Sequence, residues 1–521
     1  MDLVCNTFGI LDRSAQADYA DRPAYGFPDG SVTFREMRDR ALDVAGGLAA
    51  QGVRPGDKVA VMMGNRREWF EVFFGLAALG AVCVPVNVLL AGPEIAHVCR
   101  DSGAQHLIVD DIAGRAAAQV GHRFDTVITV GDVEPLQGSR TCRYEDLTHG
   151  HHLPESHVGP ALDDPFILYY GSGTTGLPKA AVHTHNGVMW NAASQIIGLS
   201  LTSDVRYDVV PSLSWAAGFH NLTLSLTWIG GYSQVRPSGG LTVDALVDGI
   251  ERDRTTHIML VPSLLRTLVT RPDLTKRLSE SSLKWIVTGA EPVPREVVES
   301  VAAAMPGVDV CQGYGLSEFP SVVTVLQTNE TKDHAGSAGR TLPFTTIAVR
   351  QGDGEIRPTG RGELLIRSPA TMVGYYERPE QSAVALRDGW LNTGDLVDID
   401  DAGFMTIVGR TKDLIISGGL NVYPKEVEDV IARVPGVREV AVVGVPHPRF
   451  GESPVAIVVC DQPFDTSVIE KVCAEQMASY KRPKKILVRS EPLPRNANAK
   501  LLKRELRPWA ADLLSAADSM E

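Results

Sequence analysis

The sequence predicts an α/β protein: a large N-terminal domain of helix-covered parallel sheets plus a β-subdomain, followed by a small α+β C-terminal domain. Three observations carry this. Short, apolar, β-branched runs alternate with longer helix-like stretches through most of the chain, as in crossover-connected strands. After about Gly360 the rhythm changes to short strands and tight turns, and from Glu426 to a compact mixture of helix and strand. At 521 residues the chain is also longer than one hydrophobic core can fill.

In chain order, residues 58–63 read as a strand, 73–79 as a buried helix and 82–86 as the next strand. Strands follow at 106–109, 126–130, 166–170, 257–261 and 283–287, mostly apolar and bounded by turn or polar residues. Ligands of such sheets sit beyond the carboxyl ends of the strands. Residues 363–367, 396–400 and 404–408 are further short strands, the last two joined by an Asp401-Ala402-Gly403 turn. A helix at 426–433, strands at 440–445 and 455–459, and a helix near 466–477 form the last unit. The boundary falls near Arg410 to Asp413, dividing the chain into 1–410 and 411–521.

A formal net charge of −13 argues against a nucleic-acid partner, which would need basic patches. The seven cysteines are scattered and never form a C-x-x-C pair, which fits free thiols in a reducing, cytoplasmic setting without a zinc site. Met1 to Asn6 lack a basic stretch followed by an apolar run, so no signal peptide is expected. The uncharged stretch 72–93 contains Gly75, Gly80, Pro85 and Asn87, so it reads as buried helix and strand rather than as a membrane span. Residues 209–235 carry His220 and Asn221 and are read the same way. No integral membrane contact is expected, and the oligomeric state, a homodimer included, is left open.

The strongest local signal runs from Tyr169 to Lys179. Three glycines and three hydroxyl residues fall within Gly171 to Gly176, directly after an apolar strand. Glycine lets backbone N–H groups crowd around an anion, Ser172, Thr174 and Thr175 add donors, and Lys179 adds charge. A P-loop would place lysine directly after the last glycine, but Leu177 and Pro178 intervene. This is a phosphate-holding loop of another design. A second segment, Gln312-Gly313-Tyr314-Gly315-Leu316-Ser317-Glu318, flanks an aromatic with glycines and ends in a hydroxyl and a carboxylate, hard oxygen donors suited to magnesium. Taken singly, Asp395 in Asn392-Thr393-Gly394-Asp395, the charges of Gly409-Arg410-Thr411-Lys412-Asp413 ahead of Gly418-Gly419, and Lys500 near the C-terminus read as turn formers or solvated charge.

Together and in this order, the five segments resemble those of the acyl-adenylate-forming superfamily, which includes acyl-CoA synthetases, peptide-synthetase adenylation domains and firefly-type luciferases. The resemblance runs from about Phe34 to Arg507 and extends to Gly336-Ser337-Ala338-Gly339, Gly362-Glu363-Leu364 and Tyr480-Lys481-Arg482-Pro483. It implies a mobile C-terminal domain and an active site between the two domains. It implies that Ser172, Gly173, Thr174, Thr175, Gly176 and Lys179 hold the outer phosphates of ATP, and that Gln312, Gly313 and Tyr314 flank adenine. Ser317 would contact the α-phosphate, Glu318 would bind Mg²⁺, and Asp395 and Arg410 would hold the ribose. Lys500 would bridge the substrate carboxylate and α-phosphate, Lys412 would be the hinge, and Gly418 and Gly419 would line the coenzyme A tunnel. Two anions must be brought together in this reaction, so growing negative charge needs a cation. The chain departs from the usual pattern at Gly171, Ala180, Ser317 and Ala499, none of which removes a charged group.

By motif order the acyl pocket involves Trp215, Gly218, Gly289 and Ala290, with Trp215 where relatives carry a gating aromatic or histidine. Small residues leave room for a bulky apolar group, or alternatively only permit helix to pack on sheet. The expected substrate is a small-molecule carboxylic acid of hydrophobic type: fatty, aryl, or alicyclic and terpenoid. The rival readings are an adenylation enzyme that loads a carrier protein, a luciferase-like oxygenase, and a catalytically silent nucleotide-binding regulator.

Overall fold

The computed structural model describes residues 6–134, 136, 138–148, 150–153, 157–171, 178–289, 295–331, 333–334, 336–461, 463–495 and 501–518. Chain contacts divide it into two compact units, Met1–Ile347 with Ile366–Asn392, and Ala348–Leu365 with Thr393–Glu521.

The first unit is organised by two sheets. One has eight strands, in the order Gly374–Tyr375, Lys179–Thr184, Pro165–Gly171, Val82–Pro85, Lys58–Met62, His106–Asp110, Thr126–Val130, Arg140–Arg143. The other has nine, and its functional end runs Arg340–Thr341, Phe319–Leu326, Asp309–Leu316, Trp285–Gly289, His257–Met259. The predicted strands are present, with ends shifted by a few residues. The interior pairs are parallel, whereas Lys179–Thr184 and Phe319–Leu326 pair antiparallel with the strand before each. Both sheets are therefore mixed, and each antiparallel return follows a predicted ligand-binding segment.

The stretch read as a buried helix is the helix Arg67–Leu79, whose residues from Trp69 to Leu79 are all buried. It ends where Gly80 takes φ 82°, a left-handed cap that a β-carbon would strain. Phe73 packs 4.1 Å from Phe219 between ring centroids and 4.9 Å from Phe166, fastening the helix to the strand that leads into the glycine-rich loop. The helix Phe34–Ala50 lies against it and starts with a capping box, Thr33 with Glu36. Glu71 is buried among these apolar groups and survives by accepting from the Tyr144 hydroxyl and pairing with Arg40 at 3.4 Å. Burial raises its pKa. Among the described residues no helix is long and apolar enough to cross a membrane.

In the second unit, Gly360–Arg367 contributes to a small sheet with Trp390–Ile399 and Met405–Arg410. The long hairpin Val437–His447 and Gly451–Cys460 anchors another sheet. The helix Pro424–Ile431 packs on it, and Lys503–Asp518 lies against Val437–His447. The six described cysteines are unpaired and all but Cys142 are buried.

Candidate active site

The glycine-rich loop connects two paired strands. Tyr170 lies opposite Ala180 and Gly171 opposite Lys179, so the mouth of the loop is closed by sheet pairing. Ser172, Gly173, Thr174, Thr175 and Gly176 lie outside the described residues, as do Ala290 and Lys500. At the mouth, a β-carbon on Gly171 would stand 3.0 Å from Ser317 Oγ. The glycine leaves room for the hydroxyl predicted to meet a phosphate.

Ser317 and Glu318 form the two-residue turn between Leu316 and Phe319, at the end of the strand that carries Gln312, Gly313 and Tyr314. Three long-range hydrogen bonds hold this turn. His183 Nε2 donates to the Ser317 carbonyl at 2.7 Å, the Met372 N–H to the Glu318 carbonyl at 3.0 Å, and the Tyr375 hydroxyl to Glu318 Oε1 at 2.8 Å. Because Nε2 faces a carbonyl it carries the proton, which leaves Nδ1 of the buried ring as a lone pair without a partner among the described residues. Burial lowers the His183 pKa to about 4, so the ring is neutral and acts as a plain donor. Lys179 Nζ lies 5.4 Å from the Tyr375 ring centroid, within cation–π range. Gly171, Lys179, Ser317 and Glu318, predicted from separate segments, are thus brought together in one unit. His183 and Tyr375 are the residues that do it, and sequence reasoning missed both. The Gly374-Tyr375-Tyr376 run is a visible signal, but nothing near it in the chain points to Glu318.

Gly289 lies opposite Gly313, and a β-carbon there would come within 2.3 Å of the Gly313 carbonyl oxygen. A β-carbon on Gly218 would meet the Ser212 carbonyl oxygen at 1.9 Å. Close backbone approach therefore explains both glycines whatever occupies the space beside them. Trp215 caps the short helix Ala216–Phe219, which packs against Phe319–Leu326. The Trp215 indole N–H and both ring nitrogens of the buried His220 have no hydrogen-bond partner among the described residues.

Residues 11–376 match the AMP-binding enzyme family and residues 426–500 its C-terminal domain. The chain belongs to the AMP-binding enzyme family. Its relatives place it in the acyl-CoA synthetase branch. It is 36% identical over 482 residues to the long-chain-fatty-acid–CoA ligase FadD13 of Mycobacterium tuberculosis (strain CDC 1551 / Oshkosh), covering 92% of this chain and 93% of the relative. It is 35% identical over 488 residues to a feruloyl-CoA synthase of Amycolatopsis sp, covering 92% and 94%. The o-succinylbenzoate CoA synthetase of Bacillus subtilis, solved with ATP and magnesium ion, superposes with a TM-score of 0.81 at 28% identity, covering 95% of this chain and 98% of that one.

The remaining predicted residues of this AMP-binding enzyme lie in its second unit. Asp395 and Arg410 face each other across paired strands, Oδ1 to Nε 2.7 Å. Lys412 follows in a single turn of 3₁₀ helix, Thr411–Asp413. Gly418 and Gly419 make the two-residue turn of a hairpin in which Ser417 faces Leu420. Both take positive φ, 59° and 81°, the geometry for which glycine is chosen in such turns. Among the described residues nearest Lys500 in the chain, Arg495 and Leu501 form an isolated bridge and the Leu502 N–H donates to the Pro494 carbonyl.

Among the described residues no group of three His, Cys, Asp or Glu side chains could hold a metal. At this turn the described residues offer the carboxylate of Glu318, whose second oxygen accepts nothing from the described residues. That donor set fits magnesium arriving with phosphates, because this ion keeps its waters and takes only one or two protein carboxylates.

Proposed function

We propose that this AMP-binding enzyme joins a hydrophobic carboxylic acid to coenzyme A in two steps through an acyl-adenylate. ATP and the acid give acyl-AMP and pyrophosphate, and the thiol then takes the acyl group and releases AMP. The observation that carries the reading is the clamped Ser317–Glu318 turn held beside the glycine-rich mouth and Lys179.

Each residue has a task that its setting suits. The loop from Ser172 to Gly176, with Lys179, holds the outer phosphates through backbone donors and charge. Gln312, Gly313 and Tyr314 flank the adenine, and Ser317 donates to the α-phosphate. Glu318 holds magnesium, which supplies positive charge against the phosphate oxygens. Asp395 and Arg410 bind the ribose, and the carboxylate–guanidinium pair gives both an acceptor and donors for two hydroxyls. Lys500 neutralises the two anions as the acid oxygen attacks phosphorus and pyrophosphate leaves. A rotation about Lys412 then withdraws Lys500 and brings the Gly418–Gly419 turn to the adenylate for thiol attack. Trp215, Gly218, Gly289 and Ala290 border the acyl group. Relatives named for long-chain fatty and feruloyl substrates support an apolar acid, fatty or aryl. Unpaired buried thiols support a cytoplasmic location, and the net charge of −13 supports the absence of a nucleic-acid partner.

ATP–pyrophosphate exchange over a panel of fatty, aryl and alicyclic acids tests the first step, and mass detection of free acyl-CoA tests the second. Exchange without free acyl-CoA indicates a carrier-protein thiol instead. Silence with every acid despite ATP binding indicates a regulator.

A further inference from the structure

Tyr375 touches two of the charged groups just assigned and belongs to neither of their segments. It lies in the short strand Gly374–Tyr375, which adds antiparallel to Lys179–Thr184 with Tyr375 opposite Ala181. Its backbone N–H donates to Ser382 Oγ at 2.8 Å, and Ser382 Oγ in turn donates to the Arg378 carbonyl at 2.7 Å, so the residue is fixed from its own side. Its hydroxyl donates to Glu318 Oε1, and its ring face lies under Lys179 Nζ.

Those two contacts settle a competition. Lys179 and Glu318 carry opposite charges and approach the same ring, yet among the described residues they form no ion pair with each other. A direct pair would neutralise both and leave neither for a ligand. The phenol O–H has one proton to give, and giving it to Oε1 orients the carboxylate while Oε2 stays open. The ring's negative face attracts the ammonium without consuming any of its three N–H donors in a hydrogen bond.

We propose that Tyr375 is a positioning residue that holds Glu318 and Lys179 apart and aimed, so that the carboxylate keeps one oxygen for a divalent cation and the ammonium stays available to a polyphosphate. This rests on the roles given above to Glu318 and Lys179. It makes a prediction that separates the two halves of the side chain. Tyr375→Phe removes only the hydroxyl, and Tyr375→Leu removes the ring as well.

The test is calorimetric binding of ATP to the full chain across a magnesium titration, with ATP–pyrophosphate exchange and the KM for the acid measured alongside. In Tyr375→Phe the magnesium concentration for half-maximal strengthening of ATP binding rises about tenfold, the scale of one hydrogen bond to a charged group. ATP affinity without magnesium and the KM for the acid stay at wild-type values. In Tyr375→Leu, magnesium-free ATP affinity also falls, by roughly two- to fivefold, as the cation–π contact is lost. A Tyr375→Phe protein that titrates with magnesium like wild type overturns the proposal. So does one in which magnesium response, magnesium-free affinity and acid KM decline together, since that marks general damage. Tyr375→Phe decides the matter alone if the leucine variant does not fold. Because the readout is binding, a wild type that binds ATP but exchanges pyrophosphate with no acid would overturn the proposed activity and still leave this test standing.

Discussion

The turn at Ser317–Glu318 and the segment from Asp395 to Gly419 both carry predicted ligand-binding residues, but they are held in opposite ways. The first is fixed by hydrogen bonds from buried or half-buried groups far away in the chain: His183 and Tyr375 on other strands, and Met372 just before the strand of Tyr375. The second is held by backbone pairing between strands that are neighbours in the chain, with partly exposed ion pairs beside them. Arg361 reaches Asp398 within it at 3.1 Å and Glu426 beyond it at 2.9 Å. Losing a buried hydrogen bond leaves an unpaired polar group and costs about 1–3 kcal/mol, whereas an exposed ion pair contributes at most about 1 kcal/mol. The contrast suits the proposed two-step reading, in which the Ser317–Glu318 turn stays fixed while the chain rotates about Lys412.

The sharpest attempt to break this comparison is Lys500→Ala. Adenylation should fall about 10²- to 10³-fold, the scale of losing one preorganised charge-stabilising group, while thiol transfer from supplied acyl-AMP persists. Full adenylation in that variant would remove the moving part from the account.

Acidification comes next and should act on the rigid wall. Burial lowers His183 and His185 to about 4 and His220 to about 3, so all three stay neutral when folded. The unfolded chain binds those protons below about pH 6.5, so their stabilisation is complete above that pH and is lost as pH falls toward 4 and below. By that linkage His183 and His185 each account for roughly 3 kcal/mol and His220 for roughly 5 kcal/mol. Unfolding followed against pH should show the steep loss, and His220→Gln should flatten it; an unchanged slope would contradict the buried, neutral ring.

His183→Ala addresses the same wall directly. Leaving the Ser317 carbonyl unpaired should cost about 1–3 kcal/mol. The loss should appear in ATP binding and exchange with little change in the second step.

The smallest effect is expected from Arg361→Gln. The pair with Glu426 joins residues on either side of Lys412 in the chain, so removing it should shift the ratio of the two half-reaction rates by about two- to fivefold, less at high salt. A ratio indifferent to both substitution and salt would separate that pair from the hinge.

Much of the proposed site was readable as a proposal because its requirements are local. A loop dense in glycine and hydroxyls after an apolar strand reads as an anion site from adjacent residues alone, and paired strands do flank it, whereas the two-residue turn at Gly418-Gly419 came only with the structure. The mixed pairing of both sheets was not legible. Lys179–Thr184 is a short strand of mixed polarity, and nothing in its pattern states whether it returns antiparallel or crosses over. Gly218 and Gly289 were readable as small residues, but not the carbonyls that exclude a β-carbon from them.

The sequence by itself determined which chemical groups the site possesses and the order in which the chain presents them, because backbone permissiveness, charge and hydrogen-bonding capacity belong to residues and their neighbours. Only the tertiary structure decided which groups meet. His183 reaches Ser317 across 134 positions and Tyr375 reaches Glu318 across 57, contacts that exist because two sheets pack and an edge strand is added. Such distances carry no local periodicity, so the aim of the carboxylate and the availability of the lysine appear only once the chain is folded.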